Sequence, residues 1–301
     1  MLSKQEDFPG HDFIEGKYIN PYTDFGFKKI FGTEANKDIL QHFLQTLLQL
    51  KGQITRLNYL NSARFGRSEK DRSVVFDIYC ETNCGEKFIV EMQKAKQKFF
   101  KDRSVYYSSF PIQEQAKRGK DWSFELQAIY TVGILDFVFD ENRDEPDKYY
   151  YHVQLSDTET HEVFYDKLTF VYLEMPKFTK LEDELETLFD KWLFVLKNLP
   201  KLQNRPKVLQ ERVFQKLFSI AEFEKLTPEE KRAYDESLKH YWDLKNAIDT
   251  AIEEAVKERE EIIAEKDREI AEKDREIAER NKEIAERNKE IAELRLRLGL
   301  N

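Results

Sequence analysis

Two neighbouring runs in the first third of the chain alternate side-chain character with period two. In Val74–Cys80, the residues Val74, Phe76, Ile78 and Cys80 alternate with Val75, Asp77 and Tyr79. In Glu86–Gln93, Phe88, Val90 and Met92 alternate with Ile89, Glu91 and Gln93. That period predicts two strands, each with distinct faces, and the short segment around Asn83-Cys84-Gly85 predicts a hairpin between them. A three-residue loop with Gly85 in the left-handed region is a preferred hairpin connection. Its register makes paired residue numbers sum to 168, which sets Asp77 opposite Glu91.

Around the hairpin the pattern changes period. Ile39, Leu40, Phe43, Leu44, Leu47 and Leu48 recur at helical spacing after Gly32-Thr33-Glu34, with Thr33 as the expected N-cap. A strand is expected from Ile54 to Leu60, then a polar loop from Ser62 to Arg72. A helix is expected from Lys101 to Gly119, through Tyr106, Tyr107, Ile112 and Gln113. The apolar run AIYTVGILDFVF (128–139) suits a strand buried on both faces, and VFYDKLTFVYLEM forms another, ending at Pro176. Beyond it the pattern is helical, with capping-box signals at Thr179–Glu182 and Thr227–Glu230, the second with Pro228 at the first helical position. Strands to about 175 and helices after it predict an α/β core with a helical appendage.

The tail is a repeat. Isoleucine returns at 263, 270, 277, 284 and 291 within near-identical seven-residue units, without Gly or Pro before Gly299. Such spacing predicts one long helix, roughly 105 Å if it runs from 228 to 298 at about 1.5 Å per residue. Only one large apolar residue per heptad faces a partner, where two are normally wanted. The tail therefore reads either as a lone charged helix or as a coil joining copies of the chain into a homo-oligomer. The resulting division is an N-terminal arm (1–16), a core (17–176), a helical region (177–252) and the heptad helix (253–301).

Composition narrows the function classes. With 301 residues, 23 Phe and 14 Tyr, the chain can build a real core. No run approaches the ~18 apolar residues of a membrane helix, so no membrane partner is expected. The opening residues carry no apolar signal segment, and Cys80 and Cys84 make no disulfide framework, which together predict a cytoplasmic protein. The net charge is −9, yet residues 51–130 hold 15 Lys and Arg against 10 Asp and Glu. Lys94, Lys96, Lys98, Lys101 and Arg103 fall within ten residues, interleaved with Phe99 and Phe100. That patch is either a phosphate-tracking surface or a solvated helix face.

Asp77 and Glu91, opposed on one sheet face, repel each other unless a cation compensates. A hard divalent ion such as Mg²⁺ is bound through one or two carboxylates plus phosphate oxygens. Gln93, two residues after Glu91, projects from the same face. Asp77, Glu91 and Gln93 thus describe either a metal site with a polar neighbour or a solvated sheet edge; spacing alone leaves both open. Other signals are weaker. Asp24-Phe25-Gly26 spells a kinase metal motif without its companions, and the five histidines lack zinc-ligand spacing.

The pattern F-D-I-Y-C…G-E-x-F-I-V-E-M-Q resembles the Rpn-type, PD-(D/E)XK nuclease family transposases. The stretch D-F-G-F-K-K-I-F-G (24–32), with Asn36-Lys37 and Phe43-Leu44, resembles that family's opening helix. D-R-S-V-Y-Y-S-S (102–109), with Gln115 and Gly119, resembles the helix after its active-site strand. The resemblance implies a restriction-endonuclease-like core, a mixed central sheet flanked by helices. It implies Asp77 and Glu91 as catalytic metal ligands, Asp24 as a further candidate acid, and Gln93 in the place of the superfamily lysine. The expected cofactor is Mg²⁺, with Mn²⁺ able to substitute, and the expected partner is DNA, held by Lys94, Lys96, Lys98, Lys101 and Arg103. The implied activity is DNA endonuclease cleavage of the recombination-promoting, transposase-like type. The alternative is a weak or inert DNA-binding or assembly protein that keeps the fold.

Overall fold

The computed structural model describes residues 16–48, 50, 52–61, 63–64, 74–116 and 124–298. The N-terminal arm before residue 16, most of the expected 62–72 loop and Gly119 lie outside them. The chain divides into two units, Met1–Leu244 and Lys245–Asn301.

The first unit opens on a turn that positions α1 (Asp24–Phe31). Thr23 caps this helix, its hydroxyl accepting from the Gly26 N–H (3.0 Å) while donating to the Asn20 carbonyl (2.7 Å). The next helix departs from expectation. Thr33 makes no side-chain cap; a 3-10 turn, Glu34–Asn36, follows it, and α2 proper is Lys37–Leu48. The predicted stripe from Ile39 to Leu48 is buried.

Six strands form one mixed sheet. They are β1 (Leu57–Tyr59), β4 (Ile78–Thr82), β5 (Lys87–Gln93), β6 (Ile129–Leu135), β7 (Tyr150–Ser156) and β8 (Val163–Glu174), in the order β1-β4-β5-β6-β8-β7. β5-β6 and β6-β8 are parallel and the remaining pairs antiparallel. Parallel central strands are covered on both faces, and β6 is buried along nearly its whole length. The expected loop after β1 contains β2 (Ala63–Arg64), paired with β3 (Val74–Val75) as a separate ribbon. The hairpin loop is as expected, with Gly85 at φ 84° and Thr82 N–H bonded to the Glu86 carbonyl (2.9 Å).

One sheet face presents Ile78, Cys80, Phe88, Val90, Val132, Ile134, Val171 and Leu173 to a core shared with Phe27, Phe31, Phe43, Trp192 and Phe214. Those last come from α1, α2, α4 (Leu188–Asn198) and α5 (Arg212–Ala221). Each fully buried Phe contributes about 1.5–3 kcal/mol. Trp192 also satisfies its indole N–H on His42 Nδ1 (3.0 Å). The opposite face is covered by α3 (Phe100–Glu114) through two smaller clusters, one around Phe100, Leu135 and Tyr172, the other around Phe76, Tyr79 and Ile89.

The Thr179 signal does not start a helix; a 3-10 turn, Glu182–Glu184, follows, and the working capping box is Thr187 with Asp190 at the head of α4. The Thr227–Glu230 box does form, opening α6 (Pro228–Leu298). The described residues of the second unit, 245–298, all belong to α6, with Ile263, Ile270, Ile277, Ile284 and Ile291 exposed along it. Among the described residues no helix is long and apolar enough to cross a membrane.

Candidate active site

The hairpin delivers its two acids to one place. Ile78 pairs with Val90, the register in which numbers sum to 168. Asp77 comes next, but the ladder has ended and the chain bends there. Its N–H donates to Glu91 Oε1 (3.2 Å), while the Met92 N–H donates to Asp77 Oδ2 (2.9 Å). Each carboxylate thus satisfies a backbone donor of the other's strand that the broken ladder would leave unpaired. The bend also corrects the face assigned to Phe76. Its ring does not join Ile78 and Cys80 but packs on the α3 side, 5.2 Å from the Tyr79 ring centroid and 5.5 Å from that of Tyr107.

Glu91 is 3% exposed. Its Oε2 faces Gln93 Nε2 at 3.4 Å and the Arg103 guanidinium of α3 at 3.7 Å. Burial pushes the Glu91 carboxyl up to about 8, and the Asp77 charge adds to the rise; the Asp77 N–H, Arg103 and Gln93 oppose it. Burial likewise raises Asp77, against the Met92 N–H and the charges of Lys28 and Lys94, and with the charge of Asp24. The partners present therefore do not compensate the pair: its doubly ionised form is disfavoured at neutral pH. Gly133 of β6 stands directly beside Glu91. A Cβ on it would lie 3.2 Å from the Tyr172 ring and 3.5 Å from that of Phe100, so glycine here lets α3 close onto the sheet next to the acids.

The other candidates divide. Asp24, at the start of α1, forms an i,i+4 ion pair with Lys28 (2.9 Å) and has a 58% exposed side chain. Among the described residues no group of three or more His, Cys, Asp or Glu side chains is placed to hold a metal ion, so Asp24 does not complete a three-acid site. Lys94 is half-buried and its ammonium is lowered by that burial, though Asp24 and Asp77 both act to keep it charged. Lys96 and Lys101 pair with Asp140 and Glu141, in the 3-10 turn Asp140–Asn142. Lys98 is exposed, 5.3 Å over the Phe99 ring. Arg103 lies on Tyr107 (4.7 Å) and also donates to Gln97 (2.5 Å).

Sequence reasoning grouped Arg103 with the phosphate-binding residues and missed its contact with Glu91. Helical spacing could have found it, since Phe100 is buried and Arg103 follows it by one turn on the same helix. The acidic turn at 140–142 left no local signal. It is fixed from beneath by buried Glu174, whose Oε1 accepts from the Phe139 N–H (2.9 Å) and Asn142 Nδ2 (2.7 Å) while Lys177 pairs with it (2.7 Å).

Two adjacent acidic side chains that repel each other, with Gln93 and Arg103 beside them, form a donor set suited to a hard divalent cation, which one or two carboxylates commonly hold. The mixed six-strand sheet with helices on its faces is consistent with a nuclease-type core. The family model for PD-(D/E)XK nuclease family transposases matches residues 21–251, and the chain belongs to that family. Neither the curated proteins nor the solved structures return a significant match.

Proposed function

We infer that the protein is a divalent-metal-dependent DNA endonuclease of the recombination-promoting, Rpn type, working in the cytoplasm. The observation that carries this reading is the mutually destabilising pair of half-buried Asp77 and buried Glu91, each accepting a backbone N–H from the other's strand. A fold gains nothing in stability from such a pair, because burying uncompensated charge costs several kcal/mol. Asp77 and Glu91 would hold Mg²⁺ or Mn²⁺. When bound, such an ion would supply an activated water and offset charge on the phosphate.

The protein's own residues divide the remaining work. Gln93 offers a donor and an acceptor beside Glu91 but no positive charge, so it can orient a water and cannot stabilise an anion as lysine would. Arg103, 3.7 Å from Glu91, brings permanent positive charge to the same place and compensates in part for that substitution. Lys94, Lys98 and Arg103 carry phosphate contacts that position the strand without reading its bases. The test is relaxation of supercoiled plasmid with Mg²⁺. Wild type nicks, and Asp77→Asn loses at least about 100-fold; equal activity in the two sinks the assignment. Gln93 in the lysine position also favours a second reading, an inert scaffold. Calorimetric titration of Mg²⁺ separates the two, because a scaffold binds no ion that Glu91→Ala abolishes.

Lys96 and Lys101 meet DNA only by leaving Asp140 and Glu141. Exposed ion pairs are worth at most about 1 kcal/mol each, so DNA can displace them. Asp140→Asn combined with Glu141→Gln is expected to tighten DNA binding by about 3–10-fold and to steepen its salt dependence, read by fluorescence anisotropy across a salt series. Unchanged affinity would show that these lysines face away from the bound strand.

A further inference from the structure

The segment between the carboxylates and the body of α3 carries a feature that phosphate contacts leave unused. Phe99 and Phe100 are adjacent, yet Phe100 is 4% exposed and Phe99 is 68% exposed. They diverge because Phe99 adopts φ 65°, a left-handed backbone that is a genuine outlier for a bulky aromatic residue. Strained backbone that holds a large apolar ring in solvent points to a use for that ring.

The ring does not stand alone. Arg103 follows Phe99 by one helical turn, its N–H bonded to the Phe99 carbonyl (3.0 Å), and its guanidinium reaches Glu91. Tyr106 follows by two turns, about 10 Å along the axis. It is 47% exposed and packs edge-on against Phe110 (5.2 Å between centroids). Lys98 sits over the outer ring, and Arg103 over Tyr107. This face of α3 is therefore a stripe of aromatic rings alternating with cations, beginning at the acidic pair.

Duplex DNA offers phosphates to the cations but keeps its base faces stacked inside the helix. Unpaired bases offer both phosphates and open π-faces, and base–aromatic stacking beside a basic track is how single strands are held without sequence readout. We propose that the α3 stripe, led by Phe99 and Tyr106, stacks unpaired bases next to the acidic pair, so that the preferred substrate is single-stranded or locally melted DNA. This rests on nucleic acid being the substrate of the Asp77–Glu91 site, but not on the metal or on cleavage. The positive charge along the stripe favours nucleic acid over an apolar protein partner or a second copy of this chain.

The test is binding in EDTA, where no hydrolysis occurs, of fluorescein-labelled oligothymidine and of a blunt duplex of equal length. Wild type is expected to bind the oligothymidine at least 5-fold more tightly per strand. Phe99→Leu, which keeps an apolar side chain without a π-face, and Tyr106→Leu should each remove most of that preference while leaving duplex affinity within 2-fold. Phe99→Trp should retain it. Circular dichroism of each variant confirms that it folds. Equal binding of the two probes by wild type overturns the proposal, as does a Phe99→Leu variant that weakens both alike. A change in sedimentation with no change in oligothymidine binding assigns the stripe to self-association and also overturns it. Loss of nicking with the single-strand preference intact would instead fault the endonuclease reading alone, and absence of binding to either probe would fault both.

Discussion

Glu91→Gln is expected to abolish plasmid nicking and, in metal-free buffer at pH 8, to raise the midpoint of thermal unfolding. The two effects share one cause. The folded state holds the Glu91 carboxyl near 8, against about 4.3 in an unfolded chain, so between those values the folded state binds more protons than the unfolded one. Stability contributed by the protonated carboxyl is complete at low pH and is lost as pH rises through that window. Asp77 is shifted in the same direction and adds to the loss. The sum is on the order of a few kcal/mol, which corresponds to several degrees in a chain of this size. Glutamine keeps the shape and an acceptor for the Asp77 N–H but never ionises, so the gain over wild type should be smallest at pH 5, about 1 kcal/mol, and grow toward pH 8. Added Mg²⁺ should raise the wild-type midpoint and leave the variant unmoved. Scanning calorimetry from pH 5 to 8, with EDTA or Mg²⁺, reads all of this. A variant less stable than wild type at every pH would mean that Glu91 is a structural carboxylate satisfied by Arg103 and Gln93.

The second large effect lies far from the acids in sequence. A Cβ at residue 26 would sit 2.0 Å from the Asn20 carbonyl oxygen and 2.7 Å from Thr23 Oγ1. Neither atom can yield, because Thr23 is held between the Asn20 carbonyl and the Gly26 N–H. Alanine normally gains about 1 kcal/mol over glycine inside a helix. Here the clash outweighs it, and Gly26→Ala is expected to cost about 3 kcal/mol or more, a fall of roughly 10 °C in thermal midpoint. Gly52→Ala, with nothing within 4 Å, should stay within about 0.5 kcal/mol of wild type. Equal midpoints for the two variants would refute the close approach. The same contact accounts for Asp24-Phe25-Gly26: the glycine serves a backbone crossing, not a nucleotide.

What could be read from the chain alone was local. Period-two alternation and Gly85 defined the hairpin, and loop type gave the register seen at Ile78–Val90, which is why Asp77 and Glu91 could be expected side by side from the chain alone. The same alternation misplaced Phe76, because a bend at Asp77 breaks parity and nothing in the run announces it. β7 was not anticipated. Tyr151, Val153 and Leu155 do alternate with His152, Gln154 and Ser156, but on an edge strand whose apolar side chains Val153 and Leu155 stay exposed. The Thr179 and Thr187 signals compete at short range, and Asp190, rather than Glu182, provides the reciprocal carboxylate. The pairings of Lys96 with Asp140 and of Arg103 with Glu91 join segments that only the folded sheet brings together. No periodicity encodes them.

One tether sets an order of events. Asn20 N–H donates to the Tyr234 hydroxyl (2.9 Å) and Phe25 N–H to Ser237 Oγ (3.1 Å), while Ile19 N–H donates to the Ala221 carbonyl and Phe223 N–H to the Lys17 carbonyl. The turn that seats α1 is therefore completed by residues more than two hundred positions later. During synthesis residues up to Ser237 must leave the ribosome before that turn can lock, so the seating of α1 is a late step in the folding of this unit.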